Sequence, residues 1–172
     1  MDSKDSIEAF NKLKDRAWLG DSEAQFSIGH HYRRGICVTK DLVQATTWFR
    51  EAAEQGHAEA QFITAYCYMM GEGVTSDLAQ AVLWWRKAAE QGHPQALGRM
   101  GVCFERGEGV KRDPIEAYAY YKLAGMRIEL HPMTFAMLED TMSSDEIAVG
   151  KMRTKELLKE INAKIAGKRA GK

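Results

Sequence analysis

Three cysteines, five histidines and 24 acidic side chains are the groups in this 172-residue sequence that could carry nucleophilic, metal or acid–base chemistry. Cys67 and Cys103 stand 36 residues apart, at matching places on what read as neighbouring helices. Helices packed side by side lie about 8–10 Å apart axis to axis, whereas a disulfide needs Cα atoms within about 7 Å. The opening MDSKDSIEAF has no apolar signal-peptide core, so the expected compartment is the reducing cytoplasm and the expected state is a buried thiol. His30 and His31 are adjacent. On a helix, neighbours point about 100° apart, so the two cannot grip one ion, and neither has Cys, Asp or Glu four residues away. His57 and His93 each follow a glycine and read as punctuation between elements. Glu105 and Glu108 flank a turn with no sign of an enclosing pocket. Gly71-Glu72-Gly73 and Gly107-Glu108-Gly109 lack the Gly-Lys-Ser/Thr of a phosphate loop. The expectation is therefore no catalytic residue, no metal and no cofactor.

The elements that hold these residues repeat. Ala24, Ala60 and Ala96 correspond at an offset of 36, as do Gly35, Gly71 and Gly107, then Asp41, Asp77 and Asp113, then Ala45, Ala81 and Ala117. The register holds without a gap to Ala52, Ala88 and Ala124. A period of this length predicts an all-α solenoid of antiparallel helix pairs. In the middle copy helix A is expected from Ala58 to Met70, with Ala60, Thr64, Ala65 and Tyr68 on one face. Gly71 and Gly73 end it, since a glycine takes the left-handed conformation without steric cost. Gly73→Val is accordingly expected to cost about 1–2 kcal/mol. In the first copy Cys37 replaces that second glycine, which predicts a turn that is strained or differently shaped. Asp77 caps helix B and Gln80 is placed to complete a capping box; in the third copy Asp113, Pro114 and Glu116 state the same rule. Helix B then shows Ala81, Trp84, Trp85, Ala88 and Ala89, an apolar stripe at helical spacing.

AEAQF…GEGV…D…A…WWRKAAEQGH closely resembles the Sel1-like repeat, a relative of the tetratricopeptide repeat, over residues 7 to the low 160s. The resemblance implies a right-handed superhelix with A helices inside, B helices outside, and a protein or peptide partner bound in the concave groove. The disulfide-rich members that bind β-lactams pair a cysteine on helix A with one on helix B. No helix B here has a cysteine and no Ser-x-x-Lys occurs, so that activity does not carry over. Positions 28/64/100, 29/65/101 and 32/68/104 are kept apolar or small and read as core. The neighbouring face at i, i+4, i+7 then looks into the groove. It carries Phe26, His30 and Arg33 in copy one, Phe62, Tyr66 and Met69 in copy two, and Gly98, Val102 and Glu105 in copy three. Excepting Gly98, these are the expected partner-binding residues, suited to an extended or helical peptide with apolar anchors.

The expected organisation is a single solenoid domain over 1–172. A capping helix at 5–20, a helix B alone with Ile7 matching Val43 and Ala17 matching Ala53, precedes repeats at 21–56, 57–92 and 93–128. Ile128 replaces the closing glycine and His131-Pro132 breaks the chain. A last helix A from Met133 to Met142 and a capping helix opened by Ser143 and Glu146 fill 129–166, and 167–172 are expected to be disordered. Lys+Arg and Asp+Glu balance at 24 each, so no global field recruits nucleic acid or a membrane. Residues 151–172 nevertheless carry a net +6, read as a solvated helix without the aromatic platform that nucleic-acid binding uses. The function expected is a non-enzymatic, monomeric cytoplasmic adaptor. The alternatives are a hydrolase-type enzyme with a groove-borne site and a structural subunit acting through self-association.

Overall fold

A computed structural model describes residues 4–126 and 137–170. Its helices are α1 (Lys4–Trp18), α2 (Ser22–Arg34), α3 (Leu42–Glu54), α4 (Ala58–Met70), α5 (Leu78–Ala89), α6 (Pro94–Arg106), α7 (Pro114–Gly125) and α8 (Ser144–Ala170). Every regular element among the described residues is a helix. The chain divides into two compact units, 1–81 and 82–172, with the division falling inside α5.

Each repeat is closed by the same set of backbone bonds. Gly35, Gly71 and Gly107 end the A helices in the left-handed conformation, and their N–H groups reach His31, Cys67 and Cys103. The next helix opens on an aspartate whose backbone N–H donates back to the aromatic residue near the end of helix A. Asp41 donates to Tyr32, Asp77 to Tyr68 and Asp113 to Phe104, each at 2.9 Å. The aspartate side chains then accept from the first turn of helix B, Gln80 N–H to Asp77 being 3.0 Å. This corrects the expected capping box: the Asp77 N–H that a Gln80 side chain would serve is already bonded to Tyr68.

In the N-terminal unit α1 packs on α2, α2 on α3 and α3 on α4. Phe10 and Ala17 of α1 are buried with Ala24, Ile28 and Trp48, so the first helix covers the start of the stack. Its residues Lys12 and Arg16 stand where α3 has buried Trp48 and Ala52, which makes the uncovered side of α1 polar, as a terminal cap requires. Buried glutamines recur between helices: Gln25 donates to the Ala17 carbonyl at 3.2 Å and Gln61 to that of Ala53 at 3.0 Å. The turn after α4 lies on α3, where the Thr46 hydroxyl donates to the Glu72 carbonyl at 2.6 Å. There Gly73, at φ +67°, approaches the Leu42 carbonyl so closely that a Cβ would sit 2.0 Å from its oxygen. Cys37 holds the equivalent place in copy one with φ 59°. The turn therefore keeps its shape and accepts the strain. Its thiol points to the Ser6 carbonyl of α1 at 3.7 Å, so α1 stands far enough away to admit a side chain that α3 excludes at Gly73.

In the C-terminal unit α6 packs on α7 and α7 on α8. Tyr118 and Tyr121 are buried with Leu138 and Met142. Ser143 and Glu146 form a closed capping box, Ser143 N–H to Glu146 at 2.8 Å and Glu146 N–H to Ser143 Oγ at 3.2 Å. The helix they open reaches Ala170 rather than ending by 166, so residues 167–170 are helical where disorder was expected; 171–172 lie outside the described residues. Its inward side mixes small, polar and aliphatic residues. Gly150, Thr154, Leu157 and Ile161 are buried, whereas Ile147, Leu158 and Ile165 are only partly so. Gly150 admits the Tyr118 ring, since a Cβ there would meet it at 2.8 Å. Of the expected last helix A, 137–140 are helical; its start, with Ile128, His131 and Pro132, lies outside the described residues.

Candidate functional site

The reactive side chains are committed to the scaffold. Cys67 and Cys103 are free and buried, and burial pushes both thiols up, that of Cys103 to about 11. A thiol held that way is neutral and a poor nucleophile at physiological pH. His31 donates from Nδ1 to the Ile36 carbonyl at 2.9 Å. His30 instead packs against Phe26 and Phe49, with ring centroids 4.6 and 5.0 Å away. Burial, then Arg34 and Arg33, hold its pKa below the usual histidine value. Among the described residues no three His, Cys, Asp or Glu side chains gather as a metal site, and no helix there is long and apolar enough to cross a membrane.

The two histidines that read as punctuation have a physical task. His57 Nδ1 accepts from the Ala60 N–H at 3.1 Å and His93 Nδ1 from that of Ala96 at 3.3 Å. They are the N-caps of α4 and α6, the place Asp21 fills for α2. His57 Nε2 also faces Glu23 at 3.1 Å, and its ring stacks on Phe26 at 4.7 Å. His57→Ala is expected to cost about 1 kcal/mol in denaturant unfolding, with His57→Asn regaining most of it because a short acceptor restores the cap. Equal losses in the two variants would remove the capping role.

The expected partner-binding residues fall into two groups. Phe26, His30 and Arg33 on α2 and Phe62, Tyr66 and Met69 on α4 are all half-buried and lie in the N-terminal unit. Phe26 and His30 border a shallow, open depression of about 310 Å³ that also takes in Arg34 and Ile36. Arg33 joins the two helices: its guanidinium lies 5.6 Å from the Tyr66 ring and pairs with Glu72 at 3.0 Å. Phe26 also packs against the buried cluster of Ala45, Phe49 and Cys67, so it serves the core as well as the surface. In the C-terminal unit Val102 packs against the cluster around Tyr118 and Tyr121, and Glu105 accepts from the Tyr121 hydroxyl at 2.6 Å. Sequence reasoning missed Glu72, whose pairing with Arg33 has no signal in the repeat. It also missed the ion pairs of α8: Arg153 bonds Glu116 of α7, and Lys164 bonds Glu90 at 2.8 Å.

Helix pairs repeated at a fixed period define an α-solenoid. The chain belongs to the Sel1 repeat family, whose profile matches residues 22–57, 58–93 and 94–127. It is similar to the crystal structure of a Sel1 repeat protein from Oxalobacter formigenes, at 35% identity and a TM-score of 0.66 over 70% of this chain and 48% of that one. A protective antigen of uropathogenic Escherichia coli strains, displaying an SLR fold, shares the fold at 23% identity and a TM-score of 0.66, over 96% of this chain and 44% of that one. The chain thus spans about half the length of these solved relatives. No curated protein matches it significantly. Sel1 repeat proteins are generally protein-interaction scaffolds and typically not enzymes.

Proposed function

We propose that this protein is a non-enzymatic adaptor that holds a peptide or protein segment against the side chains of α2 and α4. One observation carries the reading: Arg33 links Tyr66 and Glu72 of the next repeat while the rings beside it stay half-buried. Aromatic and arginine side chains dominate interface energies, and a pre-ordered arginine loses little freedom on binding. The rest of the reading is one solenoid domain acting as a cytoplasmic monomer. The buried free thiols of Cys67 and Cys103 support that location.

Panning the full chain against a random-peptide display library tests the proposal. Selected peptides should bind Arg33→Ala and Tyr66→Ala at least about tenfold more weakly, since truncating a hot-spot residue removes roughly 2 kcal/mol or more. Both variants should keep the parent's thermal midpoint within a few degrees. Peptides that bind the variants as tightly as the parent would place the surface elsewhere. A solution mass by light scattering near 19.4 kDa is expected, and a dimer mass would return weight to self-association.

A further inference from the structure

The C-terminal unit contains a cavity of about 230 Å³ with a charged wall. Three cations and three carboxylates line it, and their pairing is uneven. Arg153 bonds both Glu116 and Glu160, and Lys164 bonds Glu90 at 2.8 Å. All three carboxylates are then hydrogen-bonded, two of them sharing Arg153, and Arg86 is the lining cation that makes no ion pair among the described residues. The repeat shows why. In copy one Arg50 pairs with Glu54 four residues on, at 3.8 Å. Arg86 and Glu90 have the same spacing, but Lys164 of α8 takes Glu90 and leaves Arg86 exposed at the cavity.

Tyr120 supplies a hydrogen-bond donor beside Arg86. It lines the same cavity and is 7% exposed, yet its hydroxyl has no hydrogen-bond partner among the described residues. The ring is packed while the hydroxyl stays open to the cavity, so a ligand there can accept from it without displacing a protein partner. Burial and the Glu116 charge push its pKa up to about 12, so at neutral pH it is a donor. The rest of the lining is apolar: Phe104, Leu157 and Ile161.

We propose that this cavity binds a monocarboxylate carried on a short apolar body. Arg86 pairs with the carboxylate, Tyr120 donates a hydrogen bond to it, and Phe104, Leu157 and Ile161 cover its carbon atoms. A cation finds no free carboxylate here. A doubly charged phosphate would face Glu90, Glu116 and Glu160 with one unmatched arginine to balance it. The volume lies below the roughly 300–1,000 Å³ of drug-sized pockets, which restricts the occupant to something near one amino-acid residue. Such a group can be the C-terminal residue of a peptide or a free small acid. The site is independent of the α2–α4 surface, because all its residues belong to the other unit.

Titration of the full-length, 15N-labelled protein with N-acetyl-leucine and with its uncharged amide, followed by NMR, tests the proposal. The acid should produce saturable shifts in α5, α7 and α8 that the amide does not. Arg86→Gln should weaken the acid at least about tenfold at an unchanged thermal midpoint, because it removes a charge-assisted pair. Tyr120→Phe keeps the ring and should weaken it several-fold. The Arg33 and Tyr66 variants should bind it as the parent does, which separates this site from the adaptor surface. An N-acetylated tripeptide ending in leucine distinguishes the sources: tighter binding than the single residue assigns a peptide C-terminus, and equal or weaker binding a small acid. No saturable shift at millimolar acid, equal shifts from the amide, or an Arg86→Gln variant that binds as the parent would overturn the site.

Discussion

Gly73→Ala is expected to lower the unfolding free energy by about 4 kcal/mol, several times the effect of the same change at Gly71. That is above the roughly 1–2 kcal/mol that the turn conformation alone predicts for Gly73→Val. Both glycines have left-handed backbone, φ +67° and +70°, and that conformation alone costs an alanine about 1–2 kcal/mol. Their surroundings differ. A Cβ on Gly71 would meet nothing closer than the Val74 carbonyl oxygen at 3.5 Å, an ordinary contact. On Gly73 it would lie 2.0 Å from the Leu42 oxygen, 2.4 Å from its carbonyl carbon and 2.8 Å from Val43 N. Those atoms begin α3 and cannot rotate aside as a side chain can. The turn must therefore retreat from α3 and give up the Thr46–Glu72 hydrogen bond with it. Losses of this size arise from backbone overlap combined with a broken contact. Chemical unfolding of the two alanine variants beside the parent makes the comparison, and equal losses would show that the approach to Leu42 is not tight.

Deletion of α8 should have a comparable or larger effect. A chain stopped after Ser143 loses Leu157 and Ile161, which are 5% and 2% exposed, together with the Gly150 notch that holds Tyr118. Each buried aliphatic side chain contributes about 1.5–3 kcal/mol. The loss of both, with Arg153 and its partner Glu116, approaches about 5 kcal/mol, the lower end of total domain stability. The expected result is a C-terminal unit that melts partly or aggregates at ambient temperature, seen as lost helical circular dichroism beyond the 27 residues of α8. A chain stopped after Ala166 should keep its midpoint within a degree or two, since it sacrifices only exposed contacts such as Lys168 with Gln91. A fully helical, soluble protein after the longer deletion would mean that α8 is an appendage.

The sequence by itself determined the elements and their order. Helix starts and stops, and the inward faces of the repeated helices, depend on residues within a few positions of one another. For this reason α4 runs from Ala58 to Met70 as its glycine stop predicts, Asp113 with Pro114 opens α7, and Ser143 with Glu146 opens α8. Each of these signals satisfies a backbone group that would otherwise be left unpaired at a helix end. What Tyr118 and Glu90 touch is not written at that range, nor are the Glu23 and Phe26 that His57 meets. The inward side of α8 is built from Gly150 and Thr154 because a tyrosine ring arrives from α7, and no periodicity announces a glycine chosen for its neighbour. The basic run of 151–172 read as a solvated face, yet Arg153 and Lys164 turn back to Glu116 and Glu90. Helical spacing reveals partners three or four residues apart, whereas these carboxylates lie on other helices and depend on where α8 docks. Cys37 makes the same point from the other direction. Its backbone copies Gly73 in the left-handed region, but whether a side chain fits there depends on the neighbour, α1 in one case and α3 in the other, and only tertiary packing places that neighbour.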